Sequence, residues 1–107
     1  MALSAALETT GDEARITLRG ELDAASAPQF KELVEKAAAG GPQRLVLFVK
    51  ELSFMASAGL RVLIFARQKM GSGVVIYVVG AQGPVRSTLE MSGFHRSVVV
   101  QDEYTPT

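Results

Sequence analysis

The sequence predicts an α/β fold: one mixed sheet, an antiparallel N-terminal hairpin continued by a parallel β-α-β-α-β unit, packed against helices. Three observations predict it. Two apolar runs, Leu45-Val46-Leu47-Phe48-Val49 and Val74-Val75-Ile76-Tyr77-Val78-Val79, do not alternate with polar residues, the pattern of central parallel strands buried on both faces under helical cover. Residues 14–19 alternate with period two, Ile16 and Leu18 against Thr17 and Arg19, the pattern of a half-buried strand nearer an edge. The segments between the strands repeat instead at helical spacing.

Taken in order, residues 3–9 form a weak first strand, turned back by Thr10-Gly11-Asp12 into the alternating strand 14–19. Phe30, Leu33, Val34 and Ala37 then fall at i, i+3, i+4 and i+7, one stripe of a helix. Ser26-Ala27-Pro28-Gln29 marks its start, with Ser26 placed to cap, Gln29 to reach back in a capping box, and Pro28 tolerated because first-turn amides lack a helical partner. Glu32 and Lys36 pair at i, i+4, and Gly40-Gly41-Pro42 ends the helix. The second helix, residues 58–70, carries Leu60, Leu63 and Ile64 on one side and Arg67 and Lys69 in its last turn, where cations suit the helix dipole; Gly71 stops it. A third helix covers residues 84–92 and is ended by Gly93, with Phe94 just beyond, and residues 97–100 form a short last strand. No repeat or linker interrupts the series, so residues 1–107 read as one domain with a core at about 3–100. The tail 101–107, with Pro106 and few apolar residues, is expected to be loose.

Composition narrows the function. The 107 residues are 48% hydrophobic and 21% charged, which suits a packed core and not a disordered chain. Eleven Lys and Arg balance eleven Asp and Glu, so the broad basic footprint of a nucleic-acid binder is missing and no direct nucleic-acid binding is expected. There is no cysteine and one histidine; no Cys-ligated zinc, multi-His metal site or thiol nucleophile can be built, and neither metal nor cofactor is expected. No apolar run nears the roughly 18 residues of a membrane span, and residues 1–8 lack the charged start of a signal peptide, so the expectation is a cytoplasmic protein without membrane insertion.

The β-to-α order locates a functional edge. Sites on parallel sheets form beyond the strand carboxyl ends, here in residues 20–25, 50–56 and 80–83, which offer Glu21, Asp23, Ser26, Lys50, Glu51, Ser53, Ser57 and Gln82. His95 follows the third helix and falls at the opposite edge. Ser57 has an ordinary reading as the N-cap of the second helix, worth about 1 kcal/mol. It has a sharper one as a phosphate acceptor, because a helix N-terminus favours negative charge. The two are not exclusive.

The catalytic readings fail. Met55-Ala56-Ser57-Ala58-Gly59 lacks the first glycine of a Gly-x-Ser-x-Gly elbow and has no histidine within reach. Gly71-Ser72-Gly73 precedes a strand and lacks the Lys-Ser/Thr of a phosphate loop. The third strand ends in Val49-Lys50, without the aspartate of a phosphoacceptor receiver domain. Glu21 and Asp23 are better placed to cap or solvate a loop than to act as a carboxylate pair, and His95 reads as a surface residue. The expectation is not an enzyme.

Gly20-Glu21-Leu22-Asp23, then Leu45–Phe54 leading into Met55-Ala56-Ser57-Ala58-Gly59-Leu60-Arg61-Val62-Leu63, then Leu89-Glu90-Met91-Ser92-Gly93-Phe94 together resemble a STAS domain of the bacterial anti-sigma factor antagonist type, over nearly the whole chain. The resemblance implies a mixed sheet packed on helices and a protein-binding switch. Such an antagonist binds an anti-sigma factor that is also a serine kinase and so frees a sigma factor; phosphorylation of a serine opening the second helix breaks the complex, and a PP2C-type phosphatase restores it. Carried over, the phosphorylated residue is Ser57, and the partner-binding set is Asp23, Ser53, Met55, Ala56, Ser57, Ala58, Gly59 and Arg61. A dimer is compatible with the resemblance. The chain departs from the family's Asp-Ser-Ser/Thr-Gly by Ala56 and Ala58, so phosphorylation is expected only from a cognate kinase. Two other functions stay open: a STAS interaction module that binds without switching, as a subunit of a lipid transporter or signalling assembly, and a small-ligand or nucleotide sensor using the loops at 20–25 and 80–83.

Overall fold

The computed structural model describes residues 2–106. Its elements run β1 (Ser4–Thr10), β2 (Glu13–Leu22), α1 (Ala27–Ala39), β3 (Arg44–Met55), α2 (Ser57–Met70), β4 (Val75–Val79), α3 (Gly83–Ser92), a 3₁₀ turn (Phe94–Arg96) and β5 (Val99–Gln101). They build one five-stranded sheet in the sequential order β1-β2-β3-β4-β5. β1 pairs antiparallel with β2, from Ser4 opposite Arg19 to Thr10 opposite Glu13, and every other pair is parallel. The expected mixed sheet, with its hairpin at one edge, is the observed one.

The core lies between the sheet and the three helices. Ile16, Leu18, Leu45, Leu47, Ile76 and Val78 point from β2, β3 and β4 into one cluster with Phe30 and Val34 of α1, Leu63 of α2 and Leu89 of α3. Glu32 and Lys36 form the expected pair at 3.7 Å on the outside of α1. α2 departs from the expected stripe: its buried residues are Gly59, Val62, Leu63 and Ala66, whereas Leu60 is only partly covered and Ile64 is exposed. Val62 and Leu63 fill the inward face, and Gly59 joins them because the first turn of α2 lies close against Leu22 at the end of β2, where a Cβ would be only 2.6 Å from Leu22 Cγ. At its far end the Arg67 guanidinium donates to the carbonyls of Gly71 and Val74, beyond its expected service to the helix dipole.

The second face of the sheet corrects two expectations. All three helices join the first cluster, so helices do not cover both faces. Val46, Tyr77 and Val79 are buried on the other face under Tyr104, whose ring meets Tyr77 edge-on at 5.1 Å between centroids. The segment read as a loose tail is therefore docked as far as Thr105. Its Gln101 Nε2 donates to the Thr105 carbonyl at 2.8 Å, and the Thr105 amide donates back to Gln101 Oε1 at 2.9 Å. Met1 and Thr107, the outer limits of the domain and tail readings, lie outside the described residues.

β3 is also longer than the apolar run suggests. It continues through the segment read as a loop, with Glu21 opposite Phe54 and Leu22 opposite Met55. β4 ends at Val79, so beyond Phe48 the strand pairs with β2 alone, while Gln82 Nε2 donates to the Lys50 carbonyl at 3.1 Å on its other side.

Candidate functional site

The strand carboxyl ends meet the starts of α1 and α2 at one edge of the sheet. Three hydrogen bonds fix that edge. The Ala56 amide donates to the Leu22 carbonyl at 2.8 Å, joining the start of α2 to the end of β2. Ser53 Oγ donates to the Gly20 carbonyl at 3.0 Å. Thr88 Oγ1 of α3 donates to the Met55 carbonyl at 3.3 Å. Thr88 escapes a sequence reading because it sits in mid-helix, one residue before the Leu89–Phe94 motif and outside it.

Gly59 supplies the closest contact. A Cβ there would lie 2.6 Å from Cγ of Leu22 and 3.2 Å from Cγ of Met55, so only glycine lets the first turn of α2 rest on the end of β2. Leu22 and Met55 are buried beneath it. Met55 is therefore a support of the site and not part of its exposed surface.

Ser57 is not the N-cap. That position belongs to Ala56, whose backbone is extended and which has no oxygen to offer; Ser57 is the first helical residue. Its side chain is exposed and its hydroxyl makes no hydrogen bond among the described residues. Arg61 follows one turn later on the same side of α2, also exposed.

Asp23 closes the turn between β2 and α1. The Ser26 amide donates to Asp23 Oδ1 at 3.0 Å, the Asp23 amide donates to Ser26 Oγ at 3.0 Å, and Ser26 Oγ lies 2.9 Å from Asp23 Oδ1. The expected capping box is absent, since Ser26 makes no side-chain cap bond; its hydroxyl is taken up by Asp23. The backbone and side-chain hydrogen bonds from Ser26 hold the Asp23 carboxyl below the usual carboxylate range, so Asp23 is an anion at neutral pH. Its carboxylate is turned to Ser26. Among the described residues no three acidic or histidine side chains gather as a metal would require.

Asp23, Ser53, Ala56, Ser57, Ala58, Gly59 and Arg61 thus fall around one edge. His95 stands in the 3₁₀ turn that leads into β5, its Nδ1 3.3 Å from the Leu89 carbonyl. α3 runs from the carboxyl end of β4 to the start of β5, which puts His95 at the other end of the sheet. The loops of a ligand sensor are not combined: Ala24 borders a groove of about 440 Å³ between α1 and α2, whereas Gln82 and Gly83 border a separate one of about 360 Å³ beside Lys50. No helix among the described residues is long and apolar enough to cross a membrane.

The STAS domain family model matches residues 4–105. The chain is 26% identical over 82 residues to the anti-sigma-F factor antagonist RsfB of Mycobacterium tuberculosis, spanning 77% of this chain and 67% of that one. Its fold superposes with a TM-score of 0.86 on the crystal structure of an anti-sigma factor antagonist from Mycobacterium paratuberculosis, at 24% identity over 94% of this chain and 86% of the other. It also superposes on the Bacillus cell fate determinant SpoIIAA in its phosphorylated form, with a TM-score of 0.71 and 22% identity, covering 91% and 90% of the two chains.

Proposed function

The chain belongs to the STAS domain family, and on that premise we propose that it is an anti-sigma factor antagonist, a cytoplasmic binding protein and not an enzyme. It binds an anti-sigma factor that is also a serine kinase, so releasing a sigma factor. Transfer of a phosphoryl group from ATP to Ser57 Oγ, leaving ADP, ends the complex, and a PP2C-type phosphatase hydrolyses the phosphate away. The observation that carries this reading is the Ser57 hydroxyl, exposed at the first residue of α2 and bonded to nothing among the described residues. A kinase can reach it without unfolding the helix, and the first-turn amides and dipole favour the product.

The switch needs no refolding. A phosphate adds about −1.5 to −2 charges to a surface that must lose water when the partner binds. Ala56 leaves no carboxylate beside the acceptor to repel that charge, so recognition falls to a cognate kinase rather than to the family's usual Asp-Ser pair. Incubation with ATP and the cognate anti-sigma factor kinase, followed by intact-mass measurement and peptide mapping, tests the proposal. One added phosphate on the peptide containing Ser57, with loss of binding, is the expected result. Stable binding with no phosphate added, and full binding by Ser57→Asp, would make the protein a STAS module that binds without switching.

A further inference from the structure

The groove between α1 and α2 opens beside Ser57 and has a composition unlike the rest of that edge. Its floor is apolar: Ala27, Ala58 and Val62, with the ring of Phe65. Its rim carries Lys31 from α1 and Arg61 from α2, and no acidic residue lines it. The Lys31 ammonium lies 4.8 Å from the centre of the Phe65 ring, so its charge is held over the groove and not swung out to a carboxylate. Neither Lys31 nor Arg61 forms an ion pair among the described residues, although Glu32 and Glu90 elsewhere on the helices each take a basic partner. Two cations without a carboxylate partner among the described residues, at the rim of an apolar-floored groove of about 440 Å³, match a segment that is acidic and inserts one apolar side chain.

We propose that this groove receives an acidic, apolar-anchored segment of the anti-sigma factor; the inference rests on the antagonist reading above and extends it to the chemistry of the partner. The position gives the phosphate a second mode of action. Ser57 and Arg61 are one helical turn apart, so a phosphate on Ser57 pairs with Arg61 within α2. That pairing removes one of the two cations the partner segment needs. Phosphorylation then acts by occupying Arg61 as well as by repelling the incoming acid.

Calorimetric titration with the purified cognate anti-sigma factor tests this. Lys31→Glu and Arg61→Glu should each weaken binding by roughly tenfold or more, with the loss shrinking at high salt. Lys69→Glu, the same charge change at the far end of α2, should bind like wild type. Replacing one acidic residue of the partner segment by Lys should restore binding to Lys31→Glu. In a Ser57→Asp background Arg61→Glu should cost much less than it does alone, since the new carboxylate already occupies the guanidinium. Wild-type affinity in both groove variants overturns the groove while leaving the antagonist reading intact; no binding by the wild-type protein overturns both. Binding to phosphatidylglycerol vesicles that Lys31→Glu abolishes, with the anti-sigma factor unaffected, assigns the cations to a membrane surface and overturns the proposal as well.

Discussion

The hydroxyl of Tyr104 donates a hydrogen bond of 2.5 Å to Oε2 of Glu13, across 91 residues of chain. Glu13 opens β2 and is nearly buried, with the Arg15 guanidinium 2.9 Å from Oε1 and Arg44 Nε 3.1 Å from Oε2. One carboxylate thus joins β2, β3 and the docked tail. The ring above it closes the sheet face that no helix covers.

Acid should loosen this junction first. The hydrogen bond from Tyr104 holds the Glu13 carboxyl below the usual range, against the opposing effect of burial and with further help from Arg15 and Arg44. A carboxyl lowered on folding contributes stability that is complete above its unfolded value, about 4.5, and is lost as pH falls through the folded one. Urea midpoints measured across acid pH should therefore drop below pH 4.5 in the wild type and drop less in Glu13→Gln, where the lowered Asp23 carboxyl still contributes. Tyr104→Phe keeps the ring but loses a bond to a charged group, and should cost about 1–3 kcal/mol at neutral pH.

Leu47 tests the sheet itself. Fully buried at the middle of β3, it lies between Ile16 and Val78 in register. Leu47→Ala should lower unfolding free energy by about 2–5 kcal/mol through lost burial and the cavity left behind. Arg61→Ala, exposed on α2, should leave the urea midpoint within error of wild type.

The element order was legible because burial on one face and burial on two faces leave different periods, as in residues 14–19 against Leu45–Val49. What stayed hidden depended on neighbours that no local period encodes. Residues 50–55 look like a loop because Lys50 and Glu51 interrupt the apolar run, yet they extend β3 where its second neighbour has ended. On α2 hydrophobicity favours Leu60 and Ile64 beside Leu63, whereas packing keeps Leu63 and adds Gly59, Val62 and Ala66. Tyr104 looked like part of a loose tail because its partners Glu13, Val46 and Tyr77 are distant in sequence. At the site, the gathering of Asp23, Ser53, Ser57 and Arg61 at one sheet edge is legible from the β-to-α order, but the burial of Met55 and the one-residue offset between Ala56 as cap and Ser57 as first helical residue are not.

Gly59 links packing to the site. A methyl group there would press on Leu22 Cγ at 2.6 Å and Cδ2 at 2.7 Å, and Leu22 is fully buried. Gly59→Ala should lower stability by about 1–3 kcal/mol by forcing the side chain or helix aside. It should also weaken partner binding without touching the Ser57 hydroxyl, because the first turn of α2 rides on that contact. Retained affinity in a destabilised Gly59→Ala protein would show that the partner does not read the start of α2.

Ser57 separates a capping role from a switching one by the sign of two effects. If its hydroxyl capped α2, both Ser57→Ala and Ser57→Asp would be read through stability, and removing the oxygen would cost about 1 kcal/mol. The hydroxyl is exposed at the first helical position and makes no cap bond. Ser57→Ala should therefore leave thermal unfolding unchanged and keep the partner complex. Ser57→Asp should stabilise the fold by about 0.3–1 kcal/mol, since a carboxylate in the first turn meets the positive end of the helix dipole. The same charge should weaken the complex, by less than a full phosphate does. Opposite movement of stability and affinity in this one variant is the expected signature, read by thermal unfolding and calorimetry on the same preparation; a fall in stability with affinity unchanged would make Ser57 a structural residue and remove it from the interface.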